Sequence, residues 1–365
     1  MREGTGLALS GGGYRASLFQ VGSLLRLNDA GMLPKIDEIT SVSGGSITSA
    51  ILALNWPQLT FDNNVATNLN EVVVTPLRQF VSKTADIPSG LKGIFNPFGS
   101  AAKELEAYYD KHLFSGKTMQ DLSPEEKGRT PRFTFYATNL QTGVSVRMSK
   151  EYLADYTLGL WRNPTIKLAQ VVAASSAFPP VFCPVKMKTP ADQWQETDNT
   201  RYNDPALRRQ MLLGDGGIYD NMGLERPWKK RSCLLVSDAG APFALEQKFP
   251  LNWVSRLIRT TDILGEQSRA LRKRSLMTAF EAKQIKEEPF SGTYWGIATQ
   301  IKSYELEETL LNDSPENAAF AKIRTRLNTF TQDEQKKLIN WAYALCDAAL
   351  RKHLDPDLPI GKLPY

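Results

Sequence analysis

The stretch Gly6-Leu7-Ala8-Leu9-Ser10-Gly11-Gly12-Gly13-Tyr14-Arg15 decides the fold. Its first four residues are a short apolar run that reads as a buried strand, and three glycines follow where a strand leaves its sheet. Across residues 17–30 apolar side chains recur at helical spacing, at Leu18, Val21, Leu24, Leu25 and Leu27, and Gly31 follows as a stop. Residues 36–42 read as a second strand. Residues 46–54 read as a second helix, closed by Trp56-Pro57. An order of strand, loop, helix, strand, turn and helix favours two neighbouring parallel strands, and hence an α/β fold.

Further along, residues 60–130 read as helix and loop, with Pro88, Gly90, Gly93, Pro97 and Gly99 marking an irregular stretch. Residues 133–138 alternate like a strand, and residues 144–148 pair with them through the turn at Thr142-Gly143. A helix over 165–175 precedes Phe178-Pro179-Pro180, and the polar residues 189–210 read as a surface loop. Residues 233–237 form a strand and 293–298 a last one, while 251–285 and 315–352 read as helices. The expected architecture is three-layered α/β/α with a mainly parallel central sheet. A hydrolase domain over 1–300 carries a helical C-terminal extension over 301–365 packed on it.

A chain of 365 residues buries a substantial core, and its net charge of +5 is too mild to indicate nucleic acid as a partner. Cys183, Cys233 and Cys346 are far apart and lack metal-ligand spacing, so they read as free thiols in a reducing compartment. No run approaches the length of a membrane span, and the glycine loop arrives too early for a signal peptide's apolar core. A cytoplasmic protein, at most peripheral to a membrane, is expected.

Three strings carry chemistry. In Ser41-Val42-Ser43-Gly44-Gly45 a serine follows an apolar strand and precedes two glycines, the local sequence of a strained strand-to-helix turn that presents a nucleophile. Gly11, Gly12 and Gly13 offer N–H groups unobstructed by Cβ at the start of a helix, where the dipole favours a developing oxyanion. The loop lacks the Lys-Ser/Thr of a P-loop and the G-x-G-x-x-G spacing of a dinucleotide site. In Leu213-Gly214-Asp215-Gly216-Gly217 a carboxylate ends an apolar strand, so partial desolvation raises the pKa of Asp215 and makes it a better base. The order Ser43, Asp215, His353 also matches an α/β-hydrolase triad, but His353 ends a charged helix and His112 follows a polar one. Arg15 either orients the glycine loop or attracts an anionic head group.

At these residues the chain resembles the patatin-like phospholipases, whose strings are G-G-G-x-[RK]-G, G-x-S-x-G and D-G-[GA] in this order. Gly11-Gly12-Gly13-Tyr14-Arg15 matches the first with Ala16 in place of its last glycine. Ser43 and Gly45 match the second with Ser41 in place of its first glycine, and Asp215-Gly216-Gly217 matches the third. Ala174-Ser175-Ser176-Ala177-Phe178-Pro179-Pro180 resembles the block that packs beside the site in that family. The resemblance spans residues 5–240. It implies a Ser43–Asp215 dyad, an oxyanion hole at Gly11, Gly12 and Gly13 supported by Arg15, Gly44, Gly45, Gly216 and Gly217, no metal or cofactor, and hydrolysis of acyl esters in membrane phospholipid. Two alternatives stay open: a soluble carboxylesterase or thioesterase, and a phospholipase effector of antiphage defence gated by a small-nucleotide activator or a partner.

Two segments are candidates for meeting lipid. A basic helical region runs from Trp253 through Arg256, Arg259, Arg269, Arg272, Lys273 and Arg274, although Leu257, Ile258 and Ile263 packed inward would make it an ordinary surface helix. Ile94-Phe95-Asn96-Pro97-Phe98 is an apolar loop.

Overall fold

The computed structural model describes residues 1–83, 100–247, 252–324 and 327–365, so the Ile94–Phe98 loop lies outside the described residues. Its first half comprises β1 (Thr5–Leu9), α1 (Gly13–Asp29), β2 (Glu38–Val42), α2 (Gly44–Asn55), α3 (Thr75–Val81), α4 (Ser100–Tyr109), β3 (Arg132–Asn139), β4 (Val144–Met148), β5 (Tyr152–Asp155) and β6 (Gly159–Arg162). There follow α5 (Leu168–Ser175), β7 (Val185–Lys188), β8 (Trp194–Gln195), β9 (Gln210–Asp215), β10 (Cys233–Asp238), α6 (Trp253–Ala282), β11 (Ser291–Gly296) and α7 (Gln332–His353). Shorter elements are named by their residues.

Nine strands of one eleven-stranded sheet take the order β8-β6-β5-β4-β3-β2-β1-β10-β11, and β9 with its antiparallel partner β7 branches from β3. From β3 to β11 all neighbours are parallel. An antiparallel meander of β4, β5, β6 and β8 extends the other side. Alternation along the central strands splits the interior into two layers. Leu7, Leu9 and Leu235 face the larger core formed with α1, α2, α5 and α7. Ala8, Leu234 and Val236 face a smaller one closed by Leu276 and Ala279 of α6. The result is an α/β/α sandwich.

One edge of β3 is shared. Its first half pairs in parallel with β2, which ends with Val42 opposite Tyr136. Its second half pairs antiparallel with β9, whose Asp215 lies opposite Ala137. The opposite edge over Phe135–Asn139 is taken by β4, so β2 and β9 meet head-on along a single edge.

The structure differs from the sequence reading in places. Helix α1 begins at Gly13 rather than at residue 17, because the glycine loop itself enters the first turn. Residues 315–352 form two helices: Ser314 caps Pro315–Phe320, and Thr331 with Glu334 forms a capping box that starts α7 afresh. The polar segment 189–210 is more than loop, since β8 pairs with β6 and Trp194 is buried. The last strand runs over Ser291–Gly296, slightly earlier than residues 293–298. All three cysteines are free.

Helix α7 packs along α1. A Cβ on Gly22 would sit 2.2 Å from the Ile339 carbonyl oxygen, which sets how closely the helices approach. Further along, Arg26 Nε donates to Asp347 Oδ1 at 2.7 Å, and both side chains are buried. Removing one member strands a charge where water cannot reach. Asp347→Ala is therefore expected to cost about 3–5 kcal/mol in urea unfolding, and no loss would show that Arg26 finds another counter-charge.

Candidate active site

Ser43 ends β2 and caps α2 with φ 51° and ψ −120°, a left-handed turn that a serine adopts only under constraint. Its N–H donates to Ser175 Oγ at 3.0 Å. Ser175 Oγ lies 2.8 Å from Ser46 Oγ, which donates to Ser41 Oγ at 3.1 Å. Each hydroxyl in this buried file passes on one hydrogen, and Ser41 terminates it. The residue that departs from the usual glycine thus has a specific role behind the turn.

The turn is pressed against the glycine loop. A Cβ on Gly44 would lie 2.0 Å from the Gly13 carbonyl oxygen, a contact that backbone cannot yield to cheaply. Gly12 and Gly13 take φ of 139° and 59°. A Cβ on Gly11 would come within 2.9 Å of Ser43 Cβ, so the loop borders the serine itself. Gly45 lies against the carbonyls of Leu9 and Ser10, and Gly216 against that of Tyr136.

Two helix N-termini, those of α1 at Gly13 and α2 at Gly44, converge beside Ser43. The Gly11 N–H is already engaged, donating to the Asn221 carbonyl oxygen at 3.1 Å. The Gly12, Gly13 and Gly44 amides make no hydrogen bond among the described residues. On this loop the Gly11 amide is thus engaged within the fold, whereas those of Gly12 and Gly13 are not, among the described residues.

Asp215, at the end of β9, is held by its backbone. Its N–H donates to Ala177 O at 3.0 Å and its carbonyl accepts Thr138 Oγ1 at 2.8 Å. Oδ1 accepts the Gly217 N–H at 2.7 Å. Burial pushes the Asp215 pKa up from 3.8 to about 6, against the opposing pull of the Gly217 amide and the Ser43 side chain. A raised carboxyl pKa means that ionisation weakens the fold as pH rises from about 4 to about 6. Next to it the half-buried Cys183 thiol is pushed up, first by burial and then by the Asp215 charge.

The remaining expectations resolve as follows. Arg15 is 1 % exposed and its guanidinium donates to the carbonyls of Ala239, Ala321 and Ile323 at 2.8, 3.2 and 2.9 Å. It clasps the root of the loop and cannot meet a head group. His353 lies near the end of α7 that packs beyond Arg26 and Asp29, at the far end of α1 from Gly13. His112 packs against Tyr108 with centroids 4.6 Å apart and the ring planes tilted by 51°, and neither imidazole is among the groups that shift Asp215. The sequence reading did not find Ser175, Ser46 or Asn221. Ser175 lies in the Ala174–Pro180 block quoted above; no motif marks the other two.

Since the Gly44 contact is with backbone, Gly44→Ala must push α2 away from the glycine loop. The expected loss is about 1–3 kcal/mol in thermal or urea unfolding, accompanied by reduced reactivity of Ser43. A variant as stable as the parent would mean that the two helix N-termini are not tightly apposed.

These features match known proteins in one direction. A family model described as patatin-like phospholipase matches residues 7–228, more than half of the chain. No curated protein matches the sequence significantly. Among solved structures the fold is similar to that of human GIVD cytosolic phospholipase A2, with a TM-score of 0.56 at 13% identity over 94% of this chain and 58% of that one. The same human enzyme in complex with methyl gamma-linolenyl fluorophosphonate gives a TM-score of 0.53 at 14% identity, covering 95% of this chain and 57% of that one. The chain therefore spans under three-fifths of the human enzyme's length. By the family match, joined to the fold, the chain belongs to the patatin-like phospholipase family.

Proposed function

We propose that this protein hydrolyses fatty-acyl esters of phospholipids through a Ser43–Asp215 dyad and an acyl-enzyme. The observation that carries the reading is the meeting of the Ser43 turn and Asp215 at adjacent registers of β3, where the buried carboxyl group has its pKa raised to about 6. A serine hydroxyl is a weak nucleophile, and a base matched to near-neutral pH removes its proton as it attacks.

In this mechanism Asp215 takes the Ser43 proton while Ser43 Oγ bonds to the ester carbonyl carbon, pushing the carbonyl π electrons onto oxygen. The Gly12 and Gly13 amides, with the N-terminal ends of α1 and α2, stabilise that oxyanion. The tetrahedral intermediate collapses, the bond to the alcohol oxygen breaks, and the proton on Asp215 passes to the departing lysolipid. A water then gives its proton to Asp215 and attacks the acyl carbon. On collapse Ser43 leaves, regains the proton, and fatty acid is released. The positive φ at Ser43 supports the reading, because a strained strand-to-helix turn is the backbone that presents a nucleophilic serine.

Purified Ser43→Ala and Asp215→Asn should each lose about 10³-fold or more in hydrolysis of long-chain phosphatidylcholine, while His353→Ala keeps most activity. A histidine variant that alone fails would return the base to the imidazole. Deprotonated Asp215 is the working form, so kcat/KM should rise with pH through a transition near pH 6 and flatten above it. A profile flat from pH 4.5 to 8 would remove Asp215 as the base. Preference for short soluble esters over long-chain phospholipid would favour the carboxylesterase alternative.

A further inference from the structure

Only Leu276 and Ala279 of the thirty residues of α6 are buried. The helix runs antiparallel to the neighbouring strands. Phe280 packs on Gly292 where β11 begins, and Arg269 donates to Asp238 Oδ2 at 2.9 and 3.2 Å where β10 ends. Residues before Arg269 therefore continue past the carboxyl edge of the sheet. At 1.5 Å per residue, Trp253 stands about 24 Å beyond Arg269 along the axis. Gly11 and Ser43 follow the carboxyl ends of β1 and β2, which are parallel to β10, so the free half of α6 projects from the edge that bears the dyad.

That free half is amphipathic. Trp253, Val254, Leu257, Ile258 and Leu264 share one face with Arg272, counting by helical turns, and Arg272 donates to Tyr219 O and Glu225 beside the Asp215 segment. The opposite face is tied down, with Arg259 stacked 4.0 Å from the Phe243 ring and paired to Glu246. Contrary to the inward packing expected of Leu257, Ile258 and Ile263, all three are exposed. Trp253, Leu257 and Leu264 are 75 %, 57 % and 64 % exposed. Around Asp215 lie three more exposed apolar side chains, Leu140, Phe178 and Ile218. Ile218 and Leu140 both flank Gly214, and Phe178 follows the Ala177 carbonyl that holds the Asp215 amide.

We propose that the apolar face of α6 over residues 253–264, together with the Leu140, Phe178 and Ile218 rim, is a docking surface for the head-group region of an anionic bilayer, and that it seats the dyad on its substrate. The proposal deepens the function proposed above and rests on it. Charge is compatible with an anionic bilayer: α6 carries six basic against three acidic side chains, although Arg259, Arg269 and Arg272 also pair with carboxylates of the fold. Continuity with the dyad's rim points the same way. A second copy of the chain fits less well. Leu257, Leu264 and Leu271 are spaced as one half of a coiled-coil seam, but Thr261, Ser268 and Ser275 occupy the interleaved positions where a stable seam needs apolar knobs. Hydroxyls at those positions suit a head-group layer, and Trp253 at the tip suits its polar–apolar boundary.

The test uses the full chain as Ser43→Ala, sedimented with phosphatidylcholine vesicles with and without phosphatidylglycerol. Binding should be stronger to the anionic vesicles and weaken in high salt. Leu257→Glu/Leu264→Glu, and equally Leu257→Ser/Leu264→Ser, should lower partitioning about tenfold or more. With Ser43 intact, the same pairs should cleave a monomeric short-chain ester at the parent rate, which also reports intact folding, and lose hydrolysis of vesicle lipid. Unchanged vesicle binding in both pairs would overturn the proposal. So would a dimer, seen by analytical ultracentrifugation, that the substitutions dissociate without altering vesicle binding. Failure of the parent to cleave any ester would sink the function proposed above and leave the sedimentation result standing separately.

Discussion

Everything at the site depends on β3 sharing one edge between two strands that arrive from opposite directions. Val42 lies opposite Tyr136 and Asp215 opposite Ala137, so the two chain ends stop one register step apart. Hydrogen bonding along β3 thereby brings serine and carboxylate together before any side chain takes part. A strand's faces alternate with period two, so a one-residue slip of β9 would turn Asp215 to the other side of the sheet. Thr138 blocks such a slip by donating to the Asp215 carbonyl, and Ala177 and Ser175 do so by accepting the amides of Asp215 and Gly216.

This geometry is held against local costs. A non-glycine residue at positive φ, as at Ser43, is unfavourable by about 1–3 kcal/mol, and burial disfavours the charged form of Asp215. The compensation lies behind the site. The hydroxyl file from Ser175 to Ser41 satisfies the Ser43 amide, and the close approach of Gly44 to Gly13 locks two helix N-termini together. The same polar donors that hold the turn leave the Gly12 and Gly13 amides unspent.

Much of this was legible in the chain because glycine leaves a trace wherever backbone approaches backbone. The strings around Gly11–Gly13, Ser43 and Asp215 identify strand ends, and the parallel start of the fold follows from their order. Ser46 and Ser175 were not legible as participants, since a small polar residue in an apolar helix becomes a hydrogen-bond partner only after long-range pairing, and Asn221 takes part through a backbone carbonyl that any residue supplies. Likewise β5, β6 and β8 are too short for alternation to register, and their pairing comes from the meander begun by β4. In α6 the inward packing expected of Leu257, Ile258 and Ile263 does not occur, because the helix outruns the sheet and leaves Leu257 and Leu264 largely exposed.

Arg15 carries a consequence for how this molecule can be divided. The family match ends at residue 228, yet every carbonyl that its guanidinium grips belongs to Ala239, Ala321 or Ile323, all past that point. Arg26 likewise finds its counter-charge at Asp347. A fragment trimmed to the matched residues would keep Ser43 and Asp215 but lose the anchors of the loop beside them. The contacts that anchor the glycine loop thus reach beyond the stretch by which the family is recognised, and Ala239, Ala321 and Ile323 bear on the loop beside Ser43 through their backbone alone.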